Sequence, residues 1–127
     1  MKQLEGPATF DAPDILVWLE AADDRGLDGA PFGIVAMDRS GAVVAYNAYE
    51  SQVSGLSAAR VIGRNFFSEV GPCTNNFMVA QRFEEELMLD EVLPYVFTLK
   101  MKPRRVNLRL LKSPDARRQY LLVATIP

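Results

Sequence analysis

The chain contains no histidine among its 127 residues, and that absence removes histidine triads, histidine-ligated haem and most zinc sites at once. Cysteine occurs once, as Cys73, so neither an internal disulfide nor a thiolate cluster is available, which fits a reducing compartment or a thiol reserved for something else. No run approaches the roughly 18 apolar residues of a membrane span, and Met1 to Phe10 lacks the basic start and apolar core of a secretory signal. The expected location is cytoplasmic. An excess of charge is missing too: 14 basic residues stand against 16 acidic ones, a net charge of −2, which offers nothing to nucleic acid.

What is present is an ordinary globular composition, 49% hydrophobic and 24% charged, in a length that suits one domain with one core. The charges are uneven. Eight basic residues lie between Lys100 and Arg118, seven acidic ones in the first 28 positions, and five more between Glu84 and Glu91, where they would line a solvated helix face. Such patches suit solvation or internal complementarity first, and the basic stretch is an interaction candidate of low weight.

Asp11 and Pro13 mark a helix start, and Ile15, Leu16, Trp18 and Leu19 give it a short apolar face that ends over Asp23 to Gly29. Residues 1–27 are too few to enclose Trp18 on their own and are expected to cap a main core of residues 28–127, all within a single domain of residues 1–127. From Pro31 the pattern turns to strand: Phe32 to Met37, a turn at Asp38 to Gly41, then Ala42 to Tyr46, a β-hairpin. Short helical segments, Asn47 to Val53 and Ser57 to Ile62, flank the Ser54-Gly55 breaker. Asn75 or Asn76 is placed to cap a longer connecting helix, with Phe77, Val79, Ala80, Phe83, Leu87 and Met88 largely on one face. Leu93 to Lys100, Arg105 to Lys112 and Gln119 to Ile126 close the chain as a meander, punctuated at Lys102-Pro103 and Ser113-Pro114-Asp115. Alternation of Val106, Leu108 and Leu110 with Asn107 and Arg109 predicts a sheet wet on one face. These are the elements of an α+β PAS fold: a five-stranded antiparallel sheet, short helices on one face, a connecting helix and an N-terminal helical cap.

Two constellations carry chemistry. Cys73 precedes the predicted connecting helix, where the positive end of a helix dipole would favour its thiolate; a lone free cysteine is otherwise a small buried apolar residue. Tyr46, Glu50 and Ser54 recur at four-residue spacing, so a helix over this stretch would align them on one face. A buried Glu50 would have a raised pKa and could donate to an anionic ligand oxygen beside Tyr46, with Ser54 orienting the tyrosine hydroxyl. The competing arrangement has Asn47 as helix cap and Glu50 reaching back to it from the surface.

The run Leu27-Asp28-Gly29-Ala30-Pro31-Phe32-Gly33, then Asp38, Gly41, Tyr46-Asn47-Ala48, Ser54-Gly55 and Val61-Ile62-Gly63-Arg64-Asn65-Phe66-Phe67 through Pro72-Cys73-Thr74, resembles the photoactive yellow protein family over nearly the whole chain. The resemblance implies a blue-light receptor, not an enzyme, carrying p-coumaric acid as a 4-hydroxycinnamoyl thioester. By motif position the attachment residue is Cys73, between Pro72 and Thr74 and following Phe66. Tyr46 and a protonated Glu50 would hold the buried phenolate, with Ser54 at the position of a supporting threonine. Met101 matches a methionine of the loop covering the chromophore. The implied cycle is photoisomerisation, proton transfer from the glutamic acid and loosening of the N-terminal cap. Departures are Leu56 where the family has a shielding arginine, Leu99 for a tyrosine, Leu121 for a tryptophan, and a shorter segment from Phe77 to Val92. Leu56 and Leu99 together predict a more accessible or looser pocket on their side. The implied partner is a downstream signalling protein that the sequence does not identify, with a homodimer as one assembly to test. The alternative function, from a different class, is a chromophore-free PAS module acting through protein association.

Overall fold

The computed structural model describes residues 9–99 and 102–126. Five antiparallel strands form one sheet in the order β2-β1-β5-β4-β3, with β1 Gly33–Met37, β2 Val43–Tyr46, β3 Leu89–Leu99, β4 Lys102–Lys112 and β5 Gln119–Thr125. The first two strands are the expected hairpin and the last three the expected meander. β3 begins at Leu89 rather than Leu93, and Lys102-Pro103 lies inside β4, since a proline at the start of a long strand is tolerated where its missing donor is not needed.

Period-two alternation distributes β1, β2, β4 and β5 between two cores, whereas β3 sends Leu89 and Phe97 into one and leaves Val92 and Val96 exposed on its other face. Val35 and Met37 of β1, Leu121 and Val123 of β5, and Val106, Leu108 and Leu110 of β4 face one cluster with Phe66, Phe67, Val70, Val79 and Phe83. Ile34 and Ala36, Tyr120 and Leu122, and Leu111 face the other, where Ile15, Trp18, Leu19 and Leu27 cover them. The expectation of one wet face therefore fails where the cap helices cover β1 and β5, and holds at β3, where Val92 and Val96 are exposed. Arg109, read as solvated, is buried because it donates to the carbonyls of Phe10 (2.9 Å) and Ala12 (2.8 Å) and pairs with Asp90 at 2.8 and 2.9 Å, so the cap sits on it.

The cap holds two helices where one was expected: α1 Ile15–Ala21 and α2 Asp24–Asp28. The stop signal at Asp23 starts the second, because its side chain accepts from Gly26 N–H at 2.9 Å as an N-cap. Glu20 ties α1 to the sheet by accepting from the Tyr120 hydroxyl at 2.6 Å and from Arg117 N–H at 2.9 Å.

On the other face, α3 (Ala48–Ser54) is capped by Asn47 and ends at Gly55, whose φ of +78° is the left-handed conformation glycine adopts most readily. α4 spans Ala58–Val61, followed by a π-helical turn over Phe66–Val70 and a 3-10 turn over Pro72–Thr74. The long connecting helix is absent. α5 covers only Ala80–Glu85, while Phe77, Leu87 and Met88, placed on its apolar face by spacing, are largely exposed. Asn76 does cap, but it caps a turn, accepting from Met78 and Val79 N–H at 2.9 and 3.1 Å. Asp90 and Glu91, assigned to a helix face, are in β3, and Arg82 of α5 pairs with Glu86 and Glu91.

Candidate functional site

The site is built around α3, whose first turn is fixed by one side chain. Asn47 Oδ1 accepts from Glu50 N–H at 3.1 Å and from Ile34 N–H at 2.9 Å, while its Nδ2 donates to the carbonyls of Leu27 and Phe32 at 2.9 Å each. The cap thus exists, yet Glu50 does not reach back to it. It turns inward and is completely buried, and the surface arrangement considered from the sequence is excluded.

Tyr46, at the end of β2, and Ser54, in the last turn of α3, meet with Tyr46 Oη and Ser54 Oγ 2.9 Å apart. Ser54 Oγ also accepts from Leu56 N–H at 3.1 Å, so as acceptor there it is free to donate to the phenol, or to accept from it as well. Glu50 does not bond to Tyr46. Its Oε2 accepts from Arg104 Nη2 at 2.6 Å, and its Oε1 has no hydrogen-bond partner. Oε1 fits where it does only because residue 33 is glycine: a Cβ there would lie 2.2 Å from it.

Burial raises the Glu50 carboxyl to about 7, against the opposing charge and hydrogen bond of Arg104. Burial, then the charge of Glu50, also holds the Tyr46 phenol well above the ordinary tyrosine value, with Ser54 and Arg104 acting the other way. The tyrosine stays a donor at neutral pH, and Glu50 is poised to hold or release a proton there.

Arg104 escaped the sequence reading, which placed it in a solvated basic stretch. The signal was present as period two: Arg104, Val106, Leu108 and Leu110 share one face of β4, and that face is the core. Pairing with Phe97 on β3 sets its guanidinium 5.6 Å from the centre of the Phe97 ring.

Cys73 lies in the 3-10 turn, partly buried and packed against the same helix-side core that contains Tyr46. The helix-dipole argument does not reach it, since α5 starts at Ala80. What positions its backbone is Tyr95 of β3, another residue the sequence reading did not single out: the Tyr95 hydroxyl donates to the Cys73 carbonyl at 2.6 Å, and Asn76 Nδ2 contacts both that carbonyl (3.2 Å) and Tyr95 Oη (2.6 Å). Phe66 is fully buried beneath the turn, stacked on Phe97 at 6.4 Å and edge-on to Phe67 at 5.6 Å. Phe66 and Phe97 therefore lead from the cysteine turn to Arg104. Pro72 is exposed and opens the turn; Leu56 is partly buried against the core. Met101 and the Leu99 side chain lie outside the described residues.

Residues 22–126 match the PAS fold family. The chain is 36% identical over 107 residues to photoactive yellow protein of Halochromatium salexigens, an alignment covering 82% of this chain and 86% of that protein. It is 32% identical over 122 residues to photoactive yellow protein of Rhodobacter capsulatus, covering 91% and 92%. Among solved structures it is similar to the photoactive yellow protein domain of the sensor histidine kinase Ppr from Rhodospirillum centenum, with a TM-score of 0.78 and 36% identity over 86% of this chain and 98% of that domain. The protein is a PAS domain. Within that class it belongs to the photoactive yellow protein family.

Among the described residues, no helix is long and apolar enough to cross a membrane.

Proposed function

We propose that the protein is a blue-light photoreceptor that carries p-coumaric acid as a thioester on Cys73. The observation that carries this reading is the fully buried Glu50 carboxyl with one oxygen unpartnered, in the same core as the Tyr46–Ser54 pair and the single cysteine. A buried polar atom without a partner costs about 1–3 kcal/mol, and a ligand oxygen beside Glu50 Oε1 would supply that partner. The residues present therefore fit the chromophore that the family resemblance implies.

When bound, p-coumaric acid supplies visible absorption and a double bond that isomerises in light. Cys73 Sγ supplies the attachment point, and Tyr95 and Asn76 keep its turn in place. Tyr46 donates its hydroxyl, backed by Ser54 Oγ. Glu50 holds the transferable proton at a carboxyl raised to about 7 by burial. Loss of that proton leaves a carboxylate out of water, a penalty of several kcal/mol that is comparable to the stability of a small domain. The cap, attached through Arg109 and Glu20, is the element that loosens in response.

Incubation of the protein with p-coumaric anhydride tests the reading. The expected result is a mass increase of one p-coumaroyl group and a visible band, both absent in Cys73→Ala. No adduct, or an equal adduct in the alanine variant, refutes it.

A second reading, a chromophore-free association module, is favoured by the exposure of Leu87, Met88, Val92 and Val96 at 79%, 68%, 51% and 53%. Sedimentation of the uncoloured protein tests it, with a concentration-dependent dimer expected and a monomer at all concentrations opposing self-association.

A further inference from the structure

Arg104 is anchored from three sides. Its Nη2 donates to Glu50 Oε2 at 2.6 Å, its Nη1 to Thr125 Oγ1 at 3.5 Å, and its guanidinium lies 5.6 Å from the centre of the Phe97 ring. Its side chain is 16% exposed and that of Glu50 0%, so the cation keeps an edge in water while the carboxylate has none. The titratable and charged groups facing Glu50, among the described residues, are Arg104 from β4 and Tyr46 from β2. β1 presents Gly33 and β5 presents Val123 beside it, neither of them charged.

Burial favours the neutral acid and the guanidinium favours the carboxylate, so Arg104 is the group that decides the protonation of Glu50. Only one carboxylate oxygen is engaged. A ligand placing a second negative oxygen beside Glu50 would set two anions around one cation, and two buried like charges sharing a site do not both persist near neutral pH.

We propose that Arg104 is a shared counter-cation and positioning residue: in the ligand-free protein it pairs with Glu50 whenever that carboxyl ionises, and in the loaded protein it balances a phenolic ligand oxygen while Glu50 is kept protonated. The proton balance is internal. Where Glu50 is ionised, a ligand entering as a neutral phenol breaks its O–H bond as an O–H bond forms on a Glu50 carboxylate oxygen, and the net charge of the site is unchanged. The site accordingly selects ligands that can carry a buried anionic oxygen. This inference rests on the chromophore-site reading above, and its test separates the two.

The first measurement uses the ligand-free protein. The infrared carboxyl band of Glu50, identified by its loss in Glu50→Gln, is titrated in the parent, Arg104→Gln, Arg104→Lys and Arg104→Met. The neutral variants should raise the Glu50 midpoint by about one to three pH units, the range for loss of an adjacent opposite charge, and lysine should restore it. Methionine keeps the apolar stem over Phe97 and stands in if the glutamine variant does not fold. An unchanged midpoint in a folded neutral variant overturns the proposal. The second measurement uses the p-coumaroylated protein: the midpoint of acid bleaching of the visible band should rise by about a pH unit or more in the neutral variants and return with lysine. Equal bleaching in all forms overturns the role toward the ligand. If p-coumarate does not attach at all, the chromophore reading falls, while the infrared titration still judges the control of Glu50 by Arg104.

Discussion

Replacing Glu50 by glutamine in the chromophore-free protein should make the stability difference between variant and parent depend steeply on pH. The Glu50 carboxyl is raised from an ordinary 4.5 to about 7 by burial, so between those values the folded state binds more protons than the unfolded one. The stability contributed by a neutral Glu50 is fully present below about pH 4.5 and is lost as the pH rises through about 7. With about 1.4 kcal/mol per pH unit of separation, the parent should lose about 2 to 3 kcal/mol between roughly pH 5 and pH 8 relative to the glutamine variant, which cannot ionise there. At roughly 3–5 °C per kcal/mol for a domain of this size, that is a relative change in melting temperature of about 10 °C. Glu20, Asp38 and Glu91 are lowered from their ordinary values and act in the opposite direction, but they are common to both proteins and cancel in the subtraction. Urea unfolding at the two pH values measures the difference directly. A constant offset, such as a packing change at residue 50, leaves the slope untouched. A flat difference would show that Arg104 overcomes burial, and a difference of opposite sign would place the carboxyl below its ordinary value; either result refutes the reasoning.

Asn47→Ala should destabilise the fold by about 2–4 kcal/mol, because four hydrogen bonds joining Leu27, Phe32, Ile34 and α3 are lost at a buried position; a change under about 0.5 kcal/mol in urea unfolding would contradict this. Gly33→Ala should push the Glu50 carboxyl out of its seat, since the added methyl group would lie 2.2 Å from Oε1. The expected loss is about 1–3 kcal/mol, with a displaced Glu50 infrared band, and a band at the parent frequency in a folded alanine variant would speak against the close approach.

The strands were legible because each is long enough for its period to show and is bounded by strong turn chemistry, such as Asp38, whose side chain accepts from the N–H groups of Ser40 and Ala42. The segment after Cys73 was not, because Phe77, Leu87 and Met88 satisfy a helical spacing that the chain does not use, and no local rule distinguishes an apolar residue that packs from one that is left exposed. The wet-face error had a tertiary cause as well: Arg109 looks solvated until Phe10 and Ala12, about a hundred positions away, arrive over it. In the site, the spacing of Tyr46, Glu50 and Ser54 was enough to suggest a common face. The choice between a buried and a surface Glu50 depended on Gly33 and Arg104, brought in by strand pairings that alternation alone does not specify.

The two cores share a single wall. Ile34, Ala36, Leu111, Tyr120 and Leu122 look outward from the sheet and are kept from water by the cap helices, whereas their neighbours one position along look into the helix-side core. Whatever lifts the cap therefore uncovers a ready-made adhesive surface several side chains wide, on the opposite side of the sheet from the proposed chromophore site. A receptor of the proposed kind, arranged this way, would not need to reshape a docking site in order to signal: it would carry a finished one, folded shut under its cap helices, and illumination would only have to unwrap it.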